Sequence, residues 1–210
     1  MCGILSKVRH FLDRKSLMRI YNSLFDSRLS YGLLVWGTAA EHDLMKLRVL
    51  QNRAVRFITF SPFRTKMAPL FSKLKILPLK DQIFLQRAKF MHGLHYKNLP
   101  FALSIYCHQP EHSYLTRYKT SHNYVLPSAL TNRSQGSIKF TGPKVWAKVP
   151  DNLKEVAFRK PFSRKLKEYI LKINYKEMPN DACASIRNGY NEHLNEPSLT
   201  EIFESDDEVD

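Results

Sequence analysis

Cationic side chains recur between residues 46 and 66. Four of them lie in a segment of helical periodicity, and two more follow in a loop bounded by Pro62 and Pro69. The six residues are Lys46, Arg48, Arg53, Arg56, Arg64 and Lys66. Because lysine and arginine gain free energy from phosphate contacts through counterion release, we expect these residues to lie along a nucleic-acid backbone. A solvated helix face that binds nothing has the same composition, so this alternative stays open.

A second cluster combines aromatic and cationic side chains between residues 114 and 124. Its members are Tyr114, Arg117, Tyr118, Lys119 and Tyr124. Aromatic rings stack on unpaired bases while neighbouring cations contact the phosphates. Arg117 and Lys119 are therefore also predicted to bind nucleic acid. The alternative is that the aromatic side chains attach this loop to the core.

Four residues raise the question of a zinc site. Cysteine and histidine are the residue types that bind zinc, and they occur together at Cys107, His108, His112 and His122. Their spacing lacks a second cysteine pair or a compact histidine pair, so we predict no metal site. The chain also lacks a Gly-rich phosphate loop, a nucleophile elbow and an H-E-x-x-H pattern, and no catalytic residue is predicted.

The net charge of +14 is unevenly distributed. Residues 177–210 hold ten acidic residues and one basic residue, whereas residues 1–176 hold 32 basic and nine acidic residues. A surplus of +23 on residues 1–176 favours a polyanionic partner, with RNA or DNA as the first hypothesis and an acidic protein as the alternative. No apolar run approaches the roughly 20 residues of a spanning helix, so no membrane partner is predicted. The start of the chain lacks a secretory signal, and we expect an intracellular location, in the nucleus or the cytoplasm.

Hydrophobic spacing predicts a mainly helical chain. The clearest helix spans residues 43–59, with an apolar face formed by Leu44, Leu47, Leu50, Ala54 and Ile58. Three further helices are predicted, from Arg14 to Asp26 with Asp13 as the N-cap, from Leu79 to His95, and after Pro161.

Three segments are less regular. The apolar run Leu29–Trp36 is expected to be buried, as helix or strand, and to end at Gly37. Alternating polar and apolar residues favour a short extended element near residues 136–141, which Gly142 and Pro143 terminate. The composition of residues 177–210 predicts a disordered acidic tail.

Several short blocks occur in an order that one protein family shares. They are Leu29–Gly37, Leu50–Arg56, Ala68–Phe71, Gly142–Trp146 and Pro150–Lys154. In this order they resemble the thumb and post-thumb region of the reverse transcriptases of LINE-type (non-LTR, jockey-like) retrotransposons. The resemblance covers about residues 3–173. It implies a helical thumb-like region at 1–97, a post-thumb extension at 98–176 with a short strand and a basic C-terminal helix, and the acidic tail at 177–210.

The resemblance implies a chain that grips the backbone of a template–primer duplex without catalysing polymerisation. In that family, catalysis needs the paired aspartates of an aromatic-Ala-Asp-Asp motif, which hold two Mg²⁺ ions in the palm. The chain has no such motif, and its adjacent aspartates, Asp206 and Asp207, lie in the acidic tail without apolar flanks. We therefore expect a fragment without a catalytic palm and without a cofactor of its own. A non-enzymatic remnant that binds an acidic protein is the alternative.

Overall fold

A computed structural model describes residues 2–104, 107–109 and 123–175, all within one compact unit that ends at Lys176. The described part of the chain is largely α-helical and contains no strand. The prediction of a mainly α fold is therefore confirmed. The predicted tail at 177–210 lies outside the described residues, and the division between residues 97 and 98 stays a prediction.

Twelve α-helices and one π-helical segment lie within the described residues. In chain order the first half contains α1 (Cys2–Val8), α2 (Arg14–Ile20), the π-helical segment (Tyr21–Asp26), α3 (Ser27–Ser30), α4 (Leu33–Trp36), α5 (Glu41–Thr59) and α6 (Met67–Leu74). The second half contains α7 (Leu79–His95), α8 (Phe101–Ser104), α9 (Asn132–Gly136), α10 (Ile138–Ala147), α11 (Asp151–Lys154) and α12 (Arg159–Tyr175). The helices predicted from hydrophobic spacing are all present.

Asp13 begins the first predicted helix as expected. Its carboxylate accepts hydrogen bonds from the backbone N–H of Ser16 at 3.2 Å and of Lys15 at 3.3 Å. These bonds satisfy two of the amide groups that a helix start leaves without partners. The hydrogen bonds from Ser16 also lower the pKa of Asp13 below its ordinary value. The helix then continues through the π-helical segment into α3.

The apolar run Leu29–Trp36 is only partly buried, so its predicted burial is wrong at two positions. Leu29 and Leu33 lie in the core, but the side chains of Tyr31 and Val35 are 84% and 77% exposed. Gly32 adopts a φ of 62°, which breaks the helix and turns the chain between α3 and α4. As expected, α4 ends at Gly37. A turn within the run therefore exposes side chains that continuous periodicity would bury.

The core has two main parts. In the first, α1, α2, α5 and α6 pack together through a group that includes Leu5, Leu17, Tyr21, Ile58 and Phe71. In the second, α7, α10 and α12 pack around Met91, Trp146, Phe162 and Leu166. A smaller cluster of Leu29, Leu33, Leu79 and Ile83 joins the start of α7 to α3 and α4. The core side of α5 is held in the first part, which leaves its other side to solvent.

A buried glutamine connects α5 to the start of α7. Gln51 is completely buried, and its side-chain amide donates to the carbonyl of Leu77 at 3.0 Å. Its side-chain oxygen accepts from the backbone N–H of Leu79 at 2.9 Å. The predicted apolar face of α5 is therefore interrupted by a polar residue, while the predicted face residue Leu50 is 39% exposed.

The predicted extended element near residues 136–141 is wrong. Ser137 precedes α10, and the alternating residues from Ile138 onward form the first turn of that helix. Gly142 and Pro143 do not end the element, because both are buried within α10. A Cβ at Gly142 would lie 2.7 Å from the sulfur of Met91, so glycine allows α10 to approach α7 closely. Packing against α7 therefore overrides the local pattern.

Candidate nucleic-acid interface

The outer side of α5 and the loop after it carry five of the predicted binding residues. We call this the α5 surface, and its cations are Lys46, Arg53, Arg56, Arg64 and Lys66. Lys46 and Arg53 are seven residues apart, which is about two helical turns, so their side chains leave α5 on the same side. All of these cations except the half-buried Arg56 are exposed.

Lys46 makes one ion pair on this surface. Its Nζ lies 3.3 Å from Oδ1 of Asp43, and the two side chains are 74% and 52% exposed. A pair so open to solvent contributes little, because water screens the attraction and two flexible side chains must be ordered. Lys46 therefore remains available to an incoming phosphate.

Arg56 attaches the loop at residues 60–66 to α5. Its guanidinium lies 4.9 Å from the centre of the Phe63 ring, a cation–π contact. Its Nε is buried and has no hydrogen-bond partner among the described residues. Because this contact fixes Phe63 next to α5, it also keeps the following residue, Arg64, close to that helix. Arg56 is thus better placed to position the loop than to reach out to solvent.

Exposed aromatic rings lie among the cations of this surface. Phe63 is 79% exposed, and Phe60 is 46% exposed at the left-handed C-cap of α5. The guanidinium of Arg9, from the loop after α1, lies 5.7 Å from the Phe57 ring and 5.6 Å from the Phe60 ring. Rings interleaved with cations are the composition that stacks on unpaired bases. Sequence reasoning missed Arg9, Phe60 and Phe63, although the spacing of Phe57, Phe60 and Phe63 in a basic segment was a usable signal.

Arg48 lies apart from the α5 surface. Two residues of helix turn its side chain roughly 160° away from that of Lys46. Arg48 instead lines a groove between α5 and α7, together with Lys80 and Arg87 of α7. Arg87 donates from Nη2 to the carbonyl of Gly37 at 3.1 Å, and burial lowers its pKa. The six cations between residues 46 and 66 therefore do not form one continuous face.

The second predicted cluster falls mostly outside the described residues. Arg117 and Lys119 lie there, together with Tyr114 and Tyr118. Tyr124 is described and is buried, with its hydroxyl 3.4 Å from Nδ1 of His95. Burial, followed by the nearby Cys107, raises the pKa of Tyr124 to about 12. The suggestion that Tyr124 stacks on bases is therefore wrong, and the alternative of attachment to the core holds for this residue.

The zinc candidates are likewise only partly described. Cys107 is a buried free thiol whose sulfur lies 3.9 Å from that of Met91, and burial raises its pKa to about 11. His108 is exposed, whereas His112 and His122 lie outside the described residues. In the described part of the chain no group of three or more metal-binding side chains converges. Cys107 serves the packing of α7.

The predicted basic C-terminal helix is present as α12 and carries a second concentration of cations, for which no binding role was predicted. Six lysines and arginines and one glutamate occur in α12, namely Arg159, Lys160, Arg164, Lys165, Lys167, Lys172 and Glu168. The half-buried Lys89 of α7 lies close enough to Arg159 and Lys167 for their charges to lower its pKa. The charge density of α12 is visible in the sequence, but its proximity to Lys89 depends on how α7 and α12 pack.

Two curated proteins are similar to part of this chain. A probable RNA-directed DNA polymerase from transposon BS of Drosophila melanogaster is 32% identical over 85 residues, which is 38% of this chain. The RNA-directed DNA polymerase from the mobile element jockey of the same species is 33% identical over 86 residues, or 41% of the chain. Over about 40% of its length this chain is therefore similar to LINE-like reverse transcriptases. The resemblance stated from the sequence blocks is therefore confirmed.

The similarity has a limited extent. The aligned region spans 9% of each of the two relatives, which are much longer than this chain. No protein-family model matches the chain, and no solved structure is similar to it. Among the described residues no helix is both long enough and apolar enough to cross a membrane.

Proposed function

We propose that this chain binds the phosphate backbone of RNA, DNA or an RNA–DNA hybrid through the α5 surface. The observation that carries the proposal is the set of exposed cations on that surface. Arg53, Arg64 and Lys66 make no ion pair with any other described residue, so their charges are not neutralised within this part of the chain. Phosphate contacts of such residues release counterions and are largely indifferent to base sequence.

The exposed phenylalanines refine the proposed ligand. Phe60 and Phe63 offer ring faces next to cations, an arrangement suited to bases that are not paired. A single strand, or the end of a duplex where bases open, therefore fits this surface better than the interior of a duplex. Truncating Phe63 to alanine should weaken binding to a single strand more than binding to a duplex.

The relatives support the ligand class and limit the proposed activity. Both are named as RNA-directed DNA polymerases. The chain spans 9% of their length and contains no aromatic-Ala-Asp-Asp motif, so we assign it no step of polymerisation. Mg²⁺ and catalysis would come from a palm that this sequence does not include.

Fluorescence anisotropy with the full chain tests the proposal. Labelled single-stranded RNA, single-stranded DNA, DNA duplex and RNA–DNA hybrid of equal length are titrated between about 50 and 200 mM salt. We expect submicromolar affinity at low salt and a log–log salt slope of several units, because each phosphate contact contributes about 0.7–0.9. Absence of binding to all four ligands at low salt would contradict the proposal.

An acidic protein is a second candidate partner, favoured by one observation. Met45 and Val49 are each about half exposed and lie beside Lys46 and Arg53 on the solvent side of α5. An apolar stripe flanked by cations suits an amphipathic acidic helix. Substituting Met45 and Val49 by serine separates the two candidates. The affinity for nucleic acid should stay unchanged. A loss of affinity for an amphipathic acidic helical peptide in the serine variant would favour the protein partner.

A further inference from the structure

A half-open groove lies away from the α5 surface, where the π-helical segment, the end of α6, α7 and α12 meet. Its volume is about 490 Å³. Small-ligand clefts in proteins typically measure about 300–1,000 Å³, so the groove has room for more than a single water or ion. None of the cations of the α5 surface lines it. The groove therefore requires its own explanation.

Three lysines from three different elements line this groove. Lys75 follows α6, Lys89 lies in the middle of α7, and Lys167 lies in α12. The ammonium groups of these three lysines form no ion pair with another described residue. Among the described residues that line the groove, the one carboxylate belongs to Asp26, and it accepts a hydrogen bond from Nε2 of Gln82 at 2.9 Å. The residues that line the groove therefore carry a net positive charge.

Lys89 shows how crowded these charges are. Burial lowers the pKa of its ammonium group, and the positive charges of Arg159 and Lys167 lower it further. The negative charge of Asp26 acts in the opposite direction and has the smallest effect of the four. A lysine held half-buried between like charges gains most from an anion, which relieves the repulsion and replaces lost hydration.

Lys75 occupies an unusual backbone position at one end of the groove. Its φ is 54°, and the N–H groups of Lys75 and Ile76 bond to the carbonyls of Ser72 and Phe71 to end α6. Glycine is the usual residue at such a left-handed helix end, because a side chain there is disfavoured. Lysine at this position places a third cation on the groove wall. Ser163 and Gln86 add neutral donors on the walls formed by α12 and α7.

We propose that this groove binds the phosphate groups of an oligophosphate-bearing ligand. Lys75, Lys89 and Lys167, from three different elements, bind the phosphoryl oxygens, and the donors of Ser163 and Gln86 fix the orientation of the ligand. The volume accommodates a chain of several phosphates or a phosphate attached to a nucleoside. This proposal goes beyond binding at the α5 surface, because it uses different cations in a concave site. The phosphates come either from a free oligophosphate or from the end of a nucleic-acid strand.

Isothermal titration of the full chain with inorganic tripolyphosphate tests the groove. The variant K89M/K167M removes two groove charges, and its matched control K160M/K172M removes two exposed charges of α12 that do not line the groove. We expect submillimolar binding by the natural chain and by the control, and at least a tenfold loss in K89M/K167M. Equal affinity of the two double variants, or no binding by the natural chain, overturns the proposal.

Folding of the test variant is checked by thermal unfolding. The Tm of K89M/K167M should not fall, because the substitution removes repulsion between like charges. Should its Tm fall sharply, the single variant K167M, at an exposed position, carries the test with an expected loss of several-fold in affinity. Unchanged affinity in folded K167M would then overturn the proposal.

Oligonucleotides with 5′-phosphate and 5′-hydroxyl ends distinguish the two phosphate sources. Tighter binding of the 5′-phosphate form by the natural chain, lost in K89M/K167M, supports a strand end. Equal binding of the two forms together with tripolyphosphate binding supports a free oligophosphate. The α5 variant R53M/R64M should lose strand affinity and retain tripolyphosphate affinity, so failure of either proposal is seen separately from failure of the other.

Discussion

The side-chain amide of Gln51 donates to the carbonyl of Leu77 at 3.0 Å, while its oxygen accepts from the N–H of Leu79 at 2.9 Å. One completely buried glutamine therefore satisfies the backbone on both sides of Pro78, where the chain enters α7. The carbonyl of Leu77 also accepts from Gln82 of α7 at 3.1 Å. These bonds fix α5 relative to α7, whose residues Gln86 and Lys89 line the positive groove.

Replacing Gln51 by methionine should destabilise the chain by about 1–3 kcal/mol. Methionine has a similar volume but leaves the buried N–H of Leu79 without its acceptor, whereas the carbonyl of Leu77 keeps its bond from Gln82. Urea unfolding measures the loss. The control Gln135→Met removes an exposed glutamine that donates to the carbonyl of Ala129, and it should change stability by less than about 0.5 kcal/mol. Equal losses in the two variants would contradict the role of Gln51.

Much of the helical framework and part of the α5 surface follow from local pattern. The predicted helix from Leu79 to His95 has the observed bounds, and Asp13 caps the helix that it was expected to begin. Exposure of Lys46 and Arg53 also follows from the 3.6-residue period, because both lie opposite the buried side of α5. Local periodicity is sufficient to predict a helix and its exposed residues where one side of the helix faces the core and the other faces solvent.

Other features depend on contacts between distant segments and have no local signal. Gln51 can be buried because its side chain bonds to the backbone groups on both sides of Pro78, which are 26 or more residues away in the sequence. The alternating residues of the 137–141 segment form a helix because α10 packs on α7. The position of Phe63 over Arg56 depends on the path of the loop after α5. The positive groove likewise exists only once α7 and α12 bring Lys89 and Lys167 together.

Gly37 should not tolerate a side chain. A Cβ there would clash with the carbonyl oxygen of Leu33 and lie 3.3 Å from the side chain of Ile83, so the end of α4 or its contact with α7 must shift. We expect Gly37→Ala to lower the free energy of unfolding by about 1–3 kcal/mol. Gly3 provides the control, because a Cβ there meets nothing within 4 Å, and Gly3→Ala should be neutral or slightly stabilising. Denaturant unfolding of both variants measures the two free energies of unfolding. A denaturation midpoint of G37A equal to that of the natural chain would contradict the close packing at Gly37.

His92 should make stability depend on pH. Its ring is completely buried and stacks on Phe162 at 4.2 Å between centres. Its Nε2–H donates to the carbonyl of Val156 at 2.7 Å, whereas Nδ1 is buried without a partner among the described residues. Burial, opposed by the Val156 bond and aided by the charge of Arg159, lowers the pKa of His92 below 6.5. At neutral pH the folded chain therefore holds His92 in its uncharged form.

The sign of the pH effect follows from this lowered pKa. Below pH 6.5 the unfolded chain takes up a proton at His92 before the folded chain does, so acid favours unfolding. The stability contribution is complete above pH 6.5 and decreases as the pH falls towards the lower, folded pKa. In His92→Gln, whose amide replaces the Nε2 donor, this component should be absent. Urea midpoints of both proteins between about pH 5 and 8 test the difference, and parallel curves would refute it.

Arg53 and Arg48 should differ in nucleic-acid binding although both lie on α5. Five residues of helix place their side chains roughly 140° apart. Arg53 therefore lies on the α5 surface, whereas Arg48 lines the separate groove that it shares with Lys80 and Arg87. Methionine at either position removes one charge from the same helix. We expect R53M to reduce the log–log salt slope for single-stranded RNA by about 0.7, the loss of one phosphate contact, and R48M to leave it unchanged. Equal reductions would mean that the ligand surrounds α5, or responds only to net charge, and would remove the basis for a defined α5 surface.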